Sequence, residues 1–300
     1  MKMTVDLKEH SYPIYIERGI LKEAAERIAE VYQGSKIMII SDDRVYSYYG
    51  EALKKNLSEK YECAETVIPH GEPSKAFETL PGVYSSLLEA KISRTDLIVA
   101  LGGGVVGDLA GFVAATFLRG IKFVQIPTSI LAQVDSSVGG KVAVDLPQGK
   151  NLVGAFYQPK MVLIDPDVLE TLPERYVTDG MGEVIKYGCI KDRKLFDLLE
   201  KCRCYENLKE HLTDVIATCV DIKRRVVEED EFDTGARQML NLGHTFGHAV
   251  EAASNFSISH GCAVSIGMVM MTRAAVKKGY CKEEVLEKLI ALLKKYPLPT

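Results

Sequence analysis

One stretch, Leu97 to Gly120 (LIVALGGGVVGDLAGFVAATFLRG), constrains the fold of this chain more than any other. It opens with a short apolar, β-branched run of the kind that forms a buried strand. Gly102, Gly103 and Gly104 follow, and a helix-like run continues to Arg119. Glycines let backbone N–H groups approach a phosphate closely, and a helix N-terminus adds partial positive charge. A strand, a glycine turn and a helix in this order therefore predict a phosphate cradle.

The spacing of Gly102, Gly104 and Gly107 also satisfies the G-x-G-x-x-G pattern of dinucleotide-binding folds. That pattern expects an acidic residue about 20 residues further on, where it binds the ribose. The corresponding segment here, Lys122–Gln133, contains no acid, and the glycine turn follows a late strand. The glycines alone therefore leave two possibilities open, a dinucleotide site and a tight structural turn.

Composition narrows the class of protein. The chain has 300 residues, 47% of them hydrophobic and 26% charged, which is enough for two domains with sizeable cores. A net charge of −4 excludes a global basic field for nucleic acid. The seven cysteines lack paired C-x-x-C motifs, so free thiols in a reducing cytosol are expected. No signal-peptide core opens the chain, and Asp108 interrupts the apolar run 97–118, so we predict a cytoplasmic protein without a membrane partner.

The periodicity changes part-way along the chain. Residues 1–167 alternate strand-like and helix-like runs, which predicts a parallel sheet with right-handed crossovers. Residues 168–300 read almost entirely as helices. In the α/β half, Asp42 follows the buried strand Lys36–Ser41, and Glu72 lies in the loop HGEPSK, so either acid is a candidate ribose ligand. Ordinary solvated carboxylates are the alternative.

Histidines and one glutamate indicate a metal site in the helical half. His244 and His248 are spaced i, i+4, which places both imidazoles on one helix face, and His260 opens a later helix. Glu183 and Lys186 are spaced i, i+3 in an apolar segment, which favours a buried functional pair over a surface ion pair. These residues predict a divalent metal held by His244, one further histidine and a carboxylate such as Glu183. Two histidines, a glutamate and an open position form a catalytic zinc composition.

Cations are concentrated near the glycine-rich segments and the histidines. A helix predicted over 237–253 places Arg237 and Asn241 on a face shared with His244 or His248. A cationic pocket in an acidic chain implies an anionic small-molecule substrate, such as a phosphate, whereas solvated surface cations are the alternative. The cations concerned are Lys141, Lys150, Lys186, Lys223 and Arg237.

Together these motifs resemble the 3-dehydroquinate synthase family of the sugar phosphate cyclase superfamily. The matching segments, in order, are HGEPSK (70–75), LGGGVVGDLAGFVAATFLRG (101–120), QIPTSILAQVDSSVGGKVAVD (125–145), GKNLVGAFYQPK (149–160), DGMGEVIKYG (179–188), LNLGHTFGHAVE (240–251) and HGCAVSIGM (260–268). The resemblance implies an α/β, Rossmann-like NAD-binding domain over 1–167 and an all-α metal-binding domain over 168–300, in a homodimer. The family usually continues further with a lysine-rich segment, so the helical domain is expected to be C-terminally short.

The resemblance also implies roles residue by residue. Glu183, His244 and His260 would bind Zn²⁺ or Co²⁺, and His248 would lie on the substrate side instead. The implied NAD contacts are Asp42, Glu72, Lys75, Gly103, Gly104, Asp108, Thr128, Ser129, Lys141 and Lys150. The implied substrate and catalytic contacts are Asp135, Lys141, Lys150, Asn151, Lys186, Lys223, Arg237, Asn241 and His248. Arg119 would reach the phosphate of the substrate in the neighbouring subunit.

The activity implied by the resemblance converts 3-deoxy-D-arabino-heptulosonate 7-phosphate into 3-dehydroquinate and phosphate, a lyase step of the shikimate pathway to aromatic amino acids. The expected course is transient oxidation by NAD, β-elimination of phosphate, re-reduction, ring opening and an intramolecular aldol reaction. The alternatives are a related cyclase (2-deoxy-scyllo-inosose or valiolone synthase type), a metal-dependent polyol dehydrogenase, and a scaffold that binds metal and NAD without turnover.

Overall fold

A computed structural model describes residues 1–202, 204–255 and 257–300. The chain divides into two compact units, Met1–Thr171 (unit 1) and Leu172–Thr300 (unit 2). Unit 1 is built on a mostly parallel sheet and unit 2 on helices, which confirms the predicted fold class. The boundary predicted at 167/168, between alternating strands and helices and helices alone, falls inside the short helix Pro166–Thr171, which ends unit 1.

A mostly parallel sheet forms the centre of unit 1, which is described throughout. The strands of the unit are β1 (Lys2–Val5), β2 (Tyr12–Ile16), β3 (Lys36–Asp42), β4 (Glu62–Ile68), β5 (Leu97–Gly102), β6 (Lys122–Pro127), β7 (Lys141–Leu146), β8 (Gly149–Phe156) and β9 (Met161–Ile164). The sheet has seven strands in the order β1-β2-β9-β6-β5-β3-β4, with β1 antiparallel to β2 and the other neighbours parallel. Its inner strands are apolar and buried, as expected for a parallel sheet covered on both faces.

Helices and the side chains of alternate strand residues build a core on each face of this sheet. The helices are α1 (Ala24–Ile28), α2 (Asp43–Val45), α3 (Glu51–Leu57), α4 (Leu80–Glu89) and α5 (Gly104–Thr116). Ile37 and Ile39 of β3 pack with residues of α1 and α3, whereas Met38 and Ile40 pack with residues of α4 and α5. Successive side chains of a strand point to opposite faces, which explains the division.

The strand order reverses between β3 and β5. From β3 the chain moves outward to β4 and then crosses back to β5 on the other side of β3. In open α/β sheets, ligands bind beyond the carboxyl ends of the strands at such a reversal. Here those ends carry Asp42 on β3 and Gly102–Gly104 after β5, and Ser41 pairs directly with Leu101. The fold therefore brings the acid and the glycine turn to one edge.

An antiparallel hairpin, β7–β8, interrupts the alternation of strands and helices, and the sequence pattern did not predict it. Val142 and Val144 of β7 join the core cluster that contains α5. A bridge between Ala76 and Asp145 connects the hairpin to the segment after the loop HGEPSK. The helix expected to reach Arg119 ends earlier, at Thr116.

Unit 2 is helical in its described residues. Its helices are α6 (Glu174–Ile190), α7 (Arg193–Lys201), α8 (Tyr205–Leu208), α9 (Leu212–Glu229), α10 (His244–Ala253), α11 (His260–Lys277) and α12 (Glu283–Lys295). The single helix predicted over 237–253 is wrong. Ala236–Asn241 forms a separate short helix, and Gly243, with a φ of 82°, precedes α10. Helical spacing therefore does not place Arg237 and Asn241 on a face with His244.

Among the described residues, no helix combines the length and the hydropathy that a membrane span requires.

Candidate functional site

The carboxyl edge of the sheet in unit 1 presents an acid beside a helix start. Asp42 caps α2, because its Oδ1 accepts hydrogen bonds from the backbone N–H groups of Arg44 (3.0 Å) and Val45 (2.8 Å). Burial raises the pKa of the Asp42 carboxyl above its usual value, although these two donors lower it. Because both bonds use Oδ1, Oδ2 is the oxygen left to accept a bond from a ligand.

The glycine turn lies beside the residues that follow β6. Gly103 precedes α5, and a side-chain Cβ built there would lie 3.3 Å from Ser129 Oγ. The N–H of Thr128 donates to Gly102 O at 2.9 Å, which holds this segment against the turn. The first N–H groups of an α-helix, here beginning at Gly104, lack acceptors within the helix. The arrangement suits a phosphate group, as the sequence predicts, and residues around it fit a dinucleotide.

A buried lysine connects the loop HGEPSK to α5 and to the hairpin. The Nζ of Lys75 lies 3.3 Å from Glu72 Oε1, 3.3 Å from Asp108 Oδ2 and 2.8 Å from Asn151 Oδ1. Lys75 is 5% exposed, and burial by itself disfavours its charge. The surrounding carboxylates, Asp108 most of all, outweigh burial and raise the pKa of Lys75 above its usual value. Lys75 is therefore charged at neutral pH.

Asp145 completes this cluster, and sequence analysis missed it. Its N–H donates to Lys75 O at 2.7 Å, and its Oδ1 accepts from Asn151 N at 2.8 Å and lies 3.8 Å from Lys75 Nζ. Asn151 has a φ of 57°, so this bond holds the backbone in an uncommon conformation. Burial raises the pKa of the Asp145 carboxyl, and Lys75 only partly offsets it. Asp145 lies where the register of the hairpin shifts, between Val144 and Leu146, and no sequence spacing signals this irregularity.

The other predicted contacts of unit 1 lie around this cluster or on separate elements. Lys150 Nζ is 3.5 Å from Glu72 Oε1. Burial raises the pKa of the Glu72 carboxyl, but Lys75 and Lys150 outweigh burial and lower it below its usual value. The remaining candidates are Lys141, exposed at the start of β7, Arg119, exposed after α5, and Asp135, half-buried in the turn Ala132–Ser136.

A buried carboxylate forms the centre of the candidate site in unit 2. Glu183 of α6 is 0% exposed and forms an ion pair with Lys186, which lies one turn later and is 1% exposed. The Oε1 atom of Glu183 lies 3.6 Å from His244 Nε2 and 3.5 Å from His260 Nε2. The structure therefore buries the predicted Glu183–Lys186 pair and brings the three predicted metal ligands together.

These three side chains fit a divalent metal ion. Tetrahedral zinc with bonds of about 2.0–2.1 Å separates its ligand atoms by about 3.3–3.4 Å. The carboxylate-to-imidazole separations of 3.5 and 3.6 Å are close to that spacing. The ligand atoms of Glu183, His244 and His260 all lie within 4.8 Å of one another. Two imidazole nitrogens and one carboxylate oxygen leave a fourth position for an exchangeable ligand.

Asp179, to which sequence analysis gave no role, holds the start of α11 against α6. Its Oδ1 accepts hydrogen bonds from Gly261 N (2.7 Å) and Cys262 N (3.2 Å). A Cβ at Gly261 would collide with the carbonyl oxygen of Asp179, so only glycine permits this approach. Asp179 lies one turn before Glu183, and His260 is the first residue of α11. This contact therefore sets the position of His260 relative to Glu183.

Two further side chains surround the His260 ring. His248 is exposed, and the centroid of its ring lies 6.1 Å from that of His260. Glu251 is 3% exposed, and its Oε1 lies 3.6 Å from His260 Nδ1. Burial lowers the pKa of His260, but Glu183 and Glu251 outweigh it and raise this pKa to about 10. Glu251 is a second residue that sequence analysis missed.

Arg237 is fixed by the segment that precedes it. It is 3% exposed, its Nη1 donates to Glu231 O at 3.0 Å, and its N–H donates to Asp230 Oδ2 at 3.1 Å. Asp230 also accepts from the N–H groups of Thr234 (2.9 Å) and Gly235 (2.7 Å). Hydrogen bonds from Thr234 and Arg237 lower the pKa of the Asp230 carboxyl to about 2. The remaining candidates of unit 2 are Lys223, buried on α9, and Asn241, exposed before α10.

Comparison with known proteins assigns the chain to a family. Residues 65–179 match the family model described as 3-dehydroquinate synthase N-terminal, and residues 180–300 match 3-dehydroquinate synthase C-terminal. The 3-dehydroquinate synthase of Clostridium perfringens (strain 13 / Type A) is 56% identical over 300 residues, which cover 99% of this chain and 86% of that protein. The chain belongs to the 3-dehydroquinate synthase family.

Solved structures of two further synthases share the fold of this 3-dehydroquinate synthase family member. A 2-deoxy-scyllo-inosose synthase complexed with carbaglucose-6-phosphate, NAD⁺ and Co²⁺ matches with a TM-score of 0.91 and 27% identity, covering 100% of this chain and 84% of that one. The 2-epi-5-epi-valiolone synthase ValA of Streptomyces hygroscopicus subsp. jinggangensis 5008, with NAD⁺ and Zn²⁺ bound, matches with a TM-score of 0.89 and 29% identity, covering 98% and 82%. Both are less similar in sequence than the Clostridium protein.

Proposed function

We propose that the chain is a 3-dehydroquinate synthase, which converts 3-deoxy-D-arabino-heptulosonate 7-phosphate into 3-dehydroquinate and phosphate. The observation that carries the proposal is the buried Glu183 carboxylate with His244 and His260 at metal-ligand spacing, in a chain of this family. When bound, NAD supplies reversible oxidation and the metal, Zn²⁺ or Co²⁺, supplies Lewis acidity at a substrate hydroxyl.

In unit 1, the carboxyl edge of the sheet is the NAD site of this proposal. Oδ2 of Asp42 is placed to accept from ribose hydroxyls, and the N–H groups at the start of α5 bind the pyrophosphate. The charge on Lys75 keeps the carboxylates of Glu72 and Asp108 in fixed positions. We assign NAD contacts to Asp42, Glu72, Lys75, Gly103, Gly104, Asp108, Thr128, Ser129, Lys141 and Lys150.

In unit 2, Glu183, His244 and His260 would hold the metal. Lys186 neutralises the Glu183 carboxylate in the interior and offers ammonium N–H groups to substrate oxygens. Buried Arg237 can fix an anionic group of the substrate in orientation. We assign substrate contacts to Asp135, Lys141, Lys150, Asn151, Lys186, Lys223, Arg237, Asn241 and His248.

We propose further that the protein is cytoplasmic and acts as a homodimer, in which Arg119 contacts the substrate phosphate of the neighbouring subunit. Arg119 is exposed after α5, so its side chain is accessible to a second copy of the chain. Mixing Arg119→Ala chains with chains inactivated at Glu183 tests this. Recovered activity in the mixture is expected, and no recovery from a proven mixed dimer would contradict it.

The decisive experiment measures phosphate release from the heptulosonate 7-phosphate by zinc-loaded protein with catalytic NAD, with the product coupled to dehydroquinase. We expect phosphate and 3-dehydroquinate in equal amounts and no net NADH. Cyclisation of sedoheptulose 7-phosphate in place of the heptulosonate would indicate the related cyclases. Net reduction of NAD with glycerol would indicate a polyol dehydrogenase, and binding of metal and NAD without turnover would indicate an inactive scaffold.

A further inference from the structure

The two ring nitrogens of His260 face two different carboxylates. Nε2 lies 3.5 Å from Glu183 Oε1, and Nδ1 lies 3.6 Å from Glu251 Oε1. Both glutamates are buried, at 0% and 3% exposure. Glu183 also lies 3.6 Å from His244 Nε2, so the Glu183 side of the ring is the side on which the metal ligands converge. Glu251 lies at the opposite nitrogen.

His244 shows the same arrangement with a different acceptor. Its Nε2 faces Glu183, and its Nδ1 lies 3.3 Å from Leu242 O. Both histidines therefore turn Nε2 toward the converging site and have an oxygen near Nδ1, at 3.3 Å for His244 and 3.6 Å for His260. An acceptor at one imidazole nitrogen places the proton there and leaves the lone pair of the other nitrogen for a metal. For His244 that acceptor is backbone, and for His260 it is a side chain.

The placement of Glu251 follows from α10. Glu251 lies seven residues after His244, almost two full helical turns, so both side chains leave the same face of the helix. Gly247 lies between them, and a Cβ there would come within 3.1 Å of Ala263 O on α11, so the two helices pack closely at this point. The helix that supplies one histidine ligand thus also presents a carboxylate to the other.

We propose that Glu251 is a positioning residue for His260: its carboxylate accepts a hydrogen bond from the Nδ1–H group and thereby fixes Nε2 as the metal-binding atom. The inference rests on the metal site of the proposed function. Carboxylates in this position raise the basicity of the imidazole and fix its ring, and their loss typically lowers metal affinity about 10–100-fold.

The test measures the affinity of the full-length, metal-stripped protein for Co²⁺ by chelator competition, together with the visible absorption spectrum of the Co²⁺ form. Glu251→Gln is expected to weaken Co²⁺ binding about 10–100-fold and to change the spectrum, because His260 is then held less firmly. Glu228→Gln is the matched control, since it removes a carboxylate that pairs with Arg224 in the same unit. It should leave both readouts unchanged.

A double-mutant cycle with His260→Ala tests whether the effect runs through His260. We expect Glu251→Gln to change Co²⁺ affinity in the parent chain and not in the His260→Ala chain. Equal losses in both backgrounds, or unchanged affinity and spectrum in Glu251→Gln, would overturn the proposal. If circular dichroism shows that Glu251→Gln folds poorly, Glu251→Asp is used instead. This variant keeps the carboxylate but shortens the side chain by one methylene, so an intermediate loss of Co²⁺ affinity is expected.

Three outcomes separate this inference from its premises. The ligand atoms of His248, Glu251 and His260 also lie within 4.8 Å of one another. If Glu251→Gln lowers the Co²⁺ stoichiometry from two to one, Glu251 is itself a ligand and the positioning role is wrong. If the parent chain binds no Co²⁺, the metal site of the proposed function fails, and the Glu251 proposal fails with it. Tight binding by the parent chain with no effect of Glu251→Gln overturns the Glu251 proposal alone.

Discussion

The two candidate sites are centred on buried charges of opposite sign. In unit 1 the buried charge is the ammonium of Lys75, which three carboxylates and an asparagine oxygen surround. In unit 2 it is the carboxylate of Glu183, which one lysine and two imidazoles surround. The difference decides which ligand each cluster can accept. In the first cluster the carboxylates face the Lys75 ammonium, a cation that already lies among them. In the second, ligand atoms of Glu183, His244 and His260 converge within 4.8 Å of one another, so this cluster is the one arranged for a metal cation.

The two clusters also differ in how the chain assembles them. The partners of Lys75 come from the loop HGEPSK, α5 and both strands of the hairpin. Lys75 therefore ties together segments that the sheet alone does not connect. Glu183 and Lys186 lie one turn apart on a single helix, and the imidazoles come from the first residues of α10 and α11. Helix geometry does most of the positioning there.

The largest effect is expected for Glu183→Gln. It removes the central metal ligand, so phosphate release should fall about 1,000-fold or more, because a catalytic metal contributes several kcal/mol of transition-state stabilisation. Breaking the buried pair with Lys186 should also lower the free energy of unfolding by about 3 kcal/mol. Steady-state kinetics and denaturant unfolding check the two effects. Glu183→Gln with normal Co²⁺ affinity would contradict the assigned ligand set.

Lys75→Met should be the next most severe change, and it should leave unit 2 unaffected. It leaves three half-buried carboxylates together without their shared cation, so the free energy of unfolding should fall by about 1–3 kcal/mol, and NAD binding should weaken. Co²⁺ affinity should stay that of the parent chain. Lys60→Met is the control, because Lys60 pairs with Glu26 on the surface and such pairs contribute about 0–1 kcal/mol. Equal destabilisation by both variants would show that the Lys75 cluster is not special.

The sequence could predict the parts of each cluster that lie within one element better than the parts that join several elements. The i, i+3 spacing of Glu183 and Lys186 and the glycine turn after β5 were visible directly, because they depend on one helix or one strand–helix junction. The cluster of Glu183, His244 and His260 across three helices was predicted from residue types and the family resemblance, but other contacts between elements were not visible. Asp145 meets Asn151 where the hairpin register shifts, and Glu251 meets His260 through the packing of α10 on α11.

The break before α10 shows a second limit. Periodicity continues across Gly243, so a single helix over 237–253 was the natural prediction. The short helix instead ends at Asn241, because Leu242 has a ψ of 122°, and Gly243, with a φ of 82°, precedes His244, the first residue of a new helix. The position of a lone glycine does not reveal its φ, since glycine occurs both within helices and at their ends.

Two variants of Asp145 test whether NAD binding depends on the charge of this residue or on the hydrogen bond that it accepts. Asp145→Ala removes the acceptor of Asn151 N, so the KM for NAD should rise about fivefold, equivalent to about 1 kcal/mol for one lost hydrogen bond. Asp145→Asn keeps an acceptor oxygen without the charge and should restore most of the KM. The kcat should change little in either variant. If Asp145→Asn raises the KM for NAD as much as Asp145→Ala does, NAD binding depends on the balance of charge around Lys75 and not on this hydrogen bond.

The smallest predicted effect concerns Asp230, a carboxylate of unit 2 that backbone N–H donors stabilise. Its pKa in the folded protein is about 2, below the unfolded value of about 3.9. The stability contributed by this charge is therefore fully present above the unfolded pKa and is lost as the pH falls through about 2. The free-energy difference between the parent chain and Asp230→Asn should be constant near neutral pH and shrink progressively below about pH 4.

Urea unfolding of both chains across this range isolates Asp230, because every other group titrates in both. A difference that stays constant down to about pH 2 would show that the N–H groups of Thr234, Gly235 and Arg237 do not stabilise the charged form. In that case the segment before α10 would hold Arg237 by its backbone conformation alone. A shrinking difference instead means that protonation of Asp230 weakens its hydrogen bond from the backbone N–H of Arg237.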